Sequence, residues 1–208
     1  MMEELRAIVG PHERIFYAGR PDKKCFIFES IFNPLLVVAV IFAIFDFGVI
    51  GGMYSMADSA GAPNEITSFL VPFMLLHLMP VWIYLGGVLF TVRKYKNTAY
   101  IVTDRAIYVS GGTFTRNINV KPFAELSHIN LHRGFFDQMF NVGDITATTS
   151  QYNAKGNPAV ISISSISNYI EVYNKVKKLQ TDIYSDTMYP NAKRPAENPG
   201  YHTKYRGL

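Results

Sequence analysis

The sequence predicts a membrane α-hairpin of two transmembrane helices, followed by a cytoplasmic α+β domain. That domain should hold six to seven antiparallel strands in a barrel or sandwich, capped by one C-terminal helix. Three observations carry this. From Ile31 to Met56 the only charged residue is Asp46, and from Ile66 to Val92 there is none. Each window exceeds the roughly 20 residues that a helix needs to cross a bilayer. After Asn97 the chain changes to short β-branched and aromatic runs separated by turn signals.

Residues 1–30 are mixed in polarity and read as loop or strand, a cytoplasmic juxtamembrane segment. Arg20 precedes a proline and should be extended. The first transmembrane helix is assigned to residues 31–54, a short extracytoplasmic loop to 55–66 and the second helix to 67–92. Pro72 and Pro80 should bend the second helix. The first apolar run lies behind a charged segment without a small-residue cleavage site, which argues against a cleaved signal peptide.

Charge sets the expected topology. Residues 34–92 carry no Lys or Arg. Both flanks do: Arg20, Lys23 and Lys24 before the first helix, Arg93, Lys94 and Lys96 after the second. Basic flanks stay on the cytoplasmic side, so both termini should be inside a multi-pass protein of the cytoplasmic membrane. The lone Cys25 excludes an intrachain disulfide and reads as an inert thiol.

The β-rich domain is assigned to residues 97–184. "TAYIVT" and "AIYVS" read as strands joined at Asp104-Arg105, Gly111-Gly112 as a tight turn, and "TFTRNINVK" as a strand that Pro122 ends. "ELSHINLHRG" reads as a strand and "FFDQMFNVGD" as a loop with apolar anchors. "ITATTSQY" and "AVISISS" flank a hairpin turn at "NAKGNP". Asn168 and Glu171 form a capping-box-like pair at the start of a helix. Its apolar positions Tyr169, Val172, Tyr173, Val176, Leu179 and Ile183 recur at helical spacing. Residues 185–208 are rich in Pro, Asn and Gly and read as a disordered tail.

A membrane hairpin followed by six or seven strands and a helix resembles the bacterial PH-like domain proteins, the YdbS-like membrane group. "ERIFYAGRP", "YIVTDRAIYVSGG" and "LSHINLHRGFFDQMFNVGDITATTS" carry the resemblance, which spans about residues 10–182. It implies two roughly orthogonal sheets closed at one end by the C-terminal helix, and no enzyme activity.

Asp46 and His77 are the unusual residues of the apolar segments. Each lies fifteen residues from the cytoplasmic end of its helix, about 22 Å deep at 1.5 Å per residue. They should pair across the hairpin. The bland reading is that the pair fixes helix register. The sharper one is a proton or ion pathway in an oligomer. His128 and His132 have a metal-like spacing, but four residues along a strand span about 13 Å, too far for one ion. No metal or cofactor is expected. No G-x-S-x-G, P-loop or G-x-G-x-x-G motif is present.

Arg105, Arg116, Lys121, Arg133 and Lys155 do not form a dense cluster. General attraction to anionic headgroups, at about 1 kcal/mol per basic group near the surface, is the expectation rather than specific headgroup recognition. The lipid-contact set is Arg20, Lys23, Lys24, Arg93, Lys94, Lys96 and Arg105. Nucleic-acid binding is disfavoured by the modest charge. Phe135, Phe136, Met139 and Phe140 form a candidate interaction loop. The leading expectation is a non-enzymatic membrane protein presenting an interaction or assembly module to a protein partner or to itself. The alternative is a subunit of an oligomeric transporter or ion-conducting assembly that uses Asp46 and His77.

Overall fold

The computed structural model describes residues 2–60, 63–152 and 156–188. The chain divides into two compact units, Met1–Phe26 with Lys94–Leu208, and Ile27–Arg93.

The first unit opens with helix α1 (Met2–Ile8) and strand β1 (Ile15–Gly19). After the excursion into the second unit it resumes with β2 (Ala99–Thr103), β3 (Ala106–Gly111) and β4 (Asn117–Pro122). These strands form one antiparallel sheet in the order β1-β2-β3-β4. Strands β5 (Leu126–His132), β6 (Gly143–Tyr152) and β7 (Pro158–Ile166) form a second antiparallel sheet, with helix α6 (Phe135–Phe140) between β5 and β6. Helix α7 (Tyr169–Met188) follows. Tyr100, Val102 and Ile107 of the first sheet meet Ile145, Ala147, Ile161 and Ile163 of the second in one core. Tyr169, Val172, Val176 and Leu179 of α7 are buried in that core, so its spacing of apolar residues reads correctly as one inward face.

Residues 1–30 contribute to the folded domain. Register places Ala18 opposite Ile101 and Gly19 opposite Tyr100, which makes β1 an edge strand of the domain. The cause lies in β2, whose five residues are all buried. Tyr100 and Val102 face the core between the two sheets, while Ala99 and Ile101 face the other way. A strand apolar on both faces needs cover on both. Helix α1 supplies the outer cover, with a fully buried Leu5 packed among Ala99, Ile101, Ala106 and Tyr108. Glu13 accepts hydrogen bonds from Thr103 Oγ1 (2.7 Å) and the Tyr108 hydroxyl (2.9 Å). The domain is therefore discontinuous, not confined to 97–184.

Three local expectations change. "FFDQMF" is a helix rather than a loop: Asp137 Oδ2 accepts from Gly134 N at 2.7 Å, and Asn141 at φ 52° ends it in the left-handed region. Gly111 pairs with Asn117, so the turn after β3 is wider than a two-residue one. Gly112 sits there at φ 124°, where a Cβ would lie 2.0 Å from the Thr115 carbonyl oxygen. Helix α7 runs to Met188; the rest of the tail expected from 185 lies outside the described residues, as do positions 153–155 of the "NAKGNP" turn.

The second unit holds α3 (Pro34–Ala60), α4 (Pro63–His77) and most of α5 (Met79–Asn97). Helix α2 (Lys23–Ile31) leads into it. Asn33 caps α3 by accepting from Leu35 N at 2.8 Å, with Pro34 at the first helical position. Residues Pro34–Met56 are long and apolar enough to cross a membrane. The second apolar segment is not one helix. Leu70–His77 and Met79–Asn97 meet at 50°, and reach a membrane-spanning length only as a bent pair. Pro80 has no N–H to continue the ladder, so the helix stops at the residues before it. Trp82 Nε1 donates to the Leu75 carbonyl at 3.2 Å, satisfying an acceptor that the break frees. The expected loop at 55–66 contracts: α3 extends to Ala60, and residues 61–62 lie outside the described set.

Candidate functional site

In the second unit, His77 Nδ1 lies 2.6 Å from Asp46 Oδ1. Asp46 is 1% exposed, and among the described residues its Oδ2 has no hydrogen-bond partner. His77 stacks on Phe73 with ring centroids 5.5 Å apart, and packs near Phe42 and Phe45. A carboxylate with one orphaned oxygen among aromatic rings is expensive if charged and unpaired. A neutral pair sharing one proton, or an ion pair with both charges adjacent, meets that constraint. The second helix is otherwise tied by Tyr84, whose hydroxyl donates to the Ile31 carbonyl at 3.0 Å, and by a Ser30–Thr91 hydroxyl contact at 2.5 Å.

In the first unit, the chain leaves and returns at one place. Lys94 Nζ lies 5.8 Å from the Phe26 ring centroid, and the Phe26 and Tyr95 rings are 6.0 Å apart. Asp22 Oδ1 caps α2 by accepting from Cys25 N at 2.9 Å. Asp22 N donates to the Ser165 carbonyl at 2.6 Å, which fastens this exit to the end of β7. Ser165 is fully buried at φ 54°, a conformation that costs of order 1–3 kcal/mol for a non-glycine residue. Its N–H donates to Asp144 Oδ1 at 2.7 Å, so the conformation is held from both sides. Burial raises the Asp144 carboxyl above its usual range; Ser165 opposes that shift, Asp137 adds to it and His132 lowers it.

Helix α6 belongs to the same end. Cys25 Sγ donates to Asp137 Oδ1 at 3.4 Å. Arg133 donates through Nε to the Val142 carbonyl at 2.9 Å and lies 4.6 Å over the Tyr169 ring. Gly143 lies beneath that ring, where a Cβ would stand 2.9 Å from Tyr169 Cγ. Arg133 thus holds the loop together. Phe135 and Met139 are exposed at 77% and 53%, whereas Phe136 and Phe140 are half-buried. The four-residue interaction loop reduces to two outward side chains.

Arg20, Lys23, Lys24, Arg93, Lys94 and Lys96 are all exposed. Arg105 is exposed too, but it follows Thr103 in the β2–β3 turn. Ala99 to Thr103 is about 13 Å of strand, so Arg105 sits at the opposite end of the sheet from the exit. It does not join the other cations. Arg116 pairs with Glu4 at 3.1 Å, and Lys121 with Gln151. His128 and His132 are both exposed on β5. Sequence reasoning missed Glu13, Asp22 and Ser165. The absence of alternation in "AYIVT" was the signal that pointed to a partner for β2.

Two antiparallel sheets of four and three strands around one core, with a helix after the last strand, define a PH-like domain. A sequence model described as the bacterial PH domain matches residues 34–180, which takes in the apolar helices as well as β2–β7. The chain belongs to the bacterial PH domain family. No curated protein matches the chain. No solved structure matches it.

Proposed function

We propose that this chain is a non-enzymatic membrane protein whose helical hairpin, inserted between β1 and β2, tethers a cytoplasmic PH-like interaction module. The observation that carries this reading is the outer surface of the Ile27–Arg93 unit. Val37, Ile41, Ile44 and Phe47 of α3, and Leu85 and Leu89 of α5, are all exposed. Soluble monomers rarely expose contiguous apolar patches above a few hundred Å², so this surface calls for lipid. The basic flanks on both sides of the hairpin support cytoplasmic termini. Both ends of the hairpin leave the domain side by side, at Phe26 and Lys94, as a tether built into a β1–β2 connection requires.

A second reading has one specific support. The Asp46–His77 couple, whose Oδ2 lacks a hydrogen-bond partner among the described residues, places ionisable side chains within the apolar helices. An oligomer could use it to carry protons or ions. The two readings separate in one experiment. Partners are captured from native membranes with the full chain, with Asp46→Asn, and with the Ile27–Arg93 hairpin alone. Ion flux is measured for the same proteins in proteoliposomes. The module reading expects capture by the first two and none by the hairpin, with no flux. Flux that Asp46→Asn abolishes sinks it.

A further inference from the structure

Strand register fixes which parts of the first unit share its exit end. In the first sheet, Gly19 and Ala99 lie there, and Ser110 opposite Ala99 brings the β3–β4 turn alongside. Asn97 Nδ2 donates to the Gly112 carbonyl at 3.0 Å, tying that turn to the returning chain. In the second sheet, His132 pairs with Asp144 and Gly143 with Ile166, so α6 and the β7–α7 junction lie at the end that Asp22 fastens through Ser165.

Each of these connections carries a large apolar side chain pointing outwards. Phe114 in the β3–β4 turn is 72% exposed, Phe135 and Met139 on α6 are 77% and 53%, and Ile170 at the start of α7 is 57%. Between them the chain exits carry the exposed cations Arg20, Lys23, Lys24, Lys94 and Lys96. Asp22, Asp137 and Asp144, the acids at this end on the exit, α6 and β6, are half-buried or buried in hydrogen bonds within the domain; Glu171 of α7 is exposed, and so is Glu4 of α1, which is neutralised by Arg116 of the β3–β4 turn at 3.1 Å.

We infer that this end of the domain is a lipid-docking face, on which Phe114, Phe135, Met139 and Ile170 insert into the headgroup–acyl boundary of an anionic bilayer. Apolar tips ringed by Lys and Arg are the chemistry of interfacial attachment, where such side chains reach about 5–10 Å into the boundary. Charge complementarity favours lipid over an apolar protein groove, since basic segments beside a membrane are drawn to its anionic surface. The inference rests on the proposed membrane tether. It adds that the domain lies against the bilayer through four defined side chains rather than hanging from it.

Trp82 is the only tryptophan, so fluorescence quenching by brominated lipid tests both statements separately. The full chain is placed in vesicles of phosphatidylcholine and phosphatidylglycerol with acyl chains brominated near the headgroup. The unaltered protein reports the hairpin through Trp82. In a Trp82→Phe background, Phe135→Trp reports the exit end. Tyr152→Trp, at the opposite end and 72% exposed, is the control. The expected result is a blue-shifted, lipid-quenched signal at 135 and an aqueous, unquenched one at 152. Equal behaviour at 135 and 152 overturns the docking face. So does a signal at 135 shielded from both brominated lipid and aqueous iodide, which would mark a protein partner instead. Quenching of Trp82 alone leaves the tether standing, and loss of quenching at Trp82 overturns the tether itself.

Discussion

A fragment starting at Asn97 should not fold, although it contains six of the seven strands among the described residues and the closing helix. Cutting there removes α1 and β1. The outer face of the first sheet then exposes Ala99, Ile101, Ala106 and Tyr108, all 5% exposed or less in the intact domain. Leu5 and Ile101 are both fully buried; at about 1.5–3 kcal/mol per aliphatic side chain, these two account for roughly 3–6 kcal/mol. The Glu13 carboxylate takes hydrogen bonds from Thr103 and Tyr108; bonds to a charged group contribute about 1.5–3 kcal/mol each. The sum, on the order of 6–12 kcal/mol, rivals the 5–15 kcal/mol that holds a whole domain together. Residues 1–26 joined by a short Gly-Ser linker to 94–188 should fold, because Phe26 and Lys94 are already neighbours. Urea unfolding followed by circular dichroism compares the two proteins. Cooperative unfolding of both with similar midpoints would refute the assignment of α1 and β1 to the core.

Three further outcomes follow from the same contacts. Gly143→Ala in the linked domain pushes a Cβ against the Tyr169 ring, and should cost about 1–3 kcal/mol by overpacking, read as a lower urea midpoint. The Tyr100 phenol is pushed up to about 12, chiefly by burial, and Tyr108 likewise by burial and then by Glu13. Because the fold favours the protonated phenols, their contribution is complete below about pH 10 and is lost as the pH rises towards 12. Tyr100→Phe should flatten the fall in melting temperature across that window, and an unchanged fall counts against it. In the hairpin, His77→Leu strands the buried Asp46 carboxyl and should destabilise the detergent-solubilised chain by about 1–3 kcal/mol. Adding Asp46→Leu should restore most of the loss, since replacing both members of a buried pair by apolar groups is often neutral. A double variant as unstable as the single one would show that the pair does more than fix register.

How much was legible in the sequence depends on the range of the interactions concerned. The face of α7 was readable from local spacing, and so were β2 to β7, because each run carries its own β-branched residues and turns. The place of β1 was not, because it pairs with a strand some eighty residues later, across the hairpin. Its mark was indirect: "AYIVT" is apolar at both parities and needs two covers. The break before Pro80 was half-visible. A proline predicts a bend, but whether the helix kinks or stops depends on what satisfies the freed carbonyls, here Trp82. Asp46 and His77 could be matched by depth because both helices start from basic flanks. The exit end could not be seen at all. It gathers residues from α2, α6, the β3–β4 turn and the start of α7, which only the strand register brings together. Arg105 stands in the turn after β2, and the length of β2 carries it to the far end of the sheet from the chain exit.

The tether is tested most directly by labelling with a membrane-impermeant maleimide in intact cells. Cys25 is the single cysteine and is buried, so Cys25→Ser gives a clean background. Ser59→Cys near the hairpin tip and Arg105→Cys in the β domain are both introduced at exposed positions. The expected result is reaction at position 59 in intact cells, and at position 105 only after lysis. Reaction at 105 in intact cells, or the same response at both positions, would contradict a hairpin that holds the domain on the cytoplasmic side.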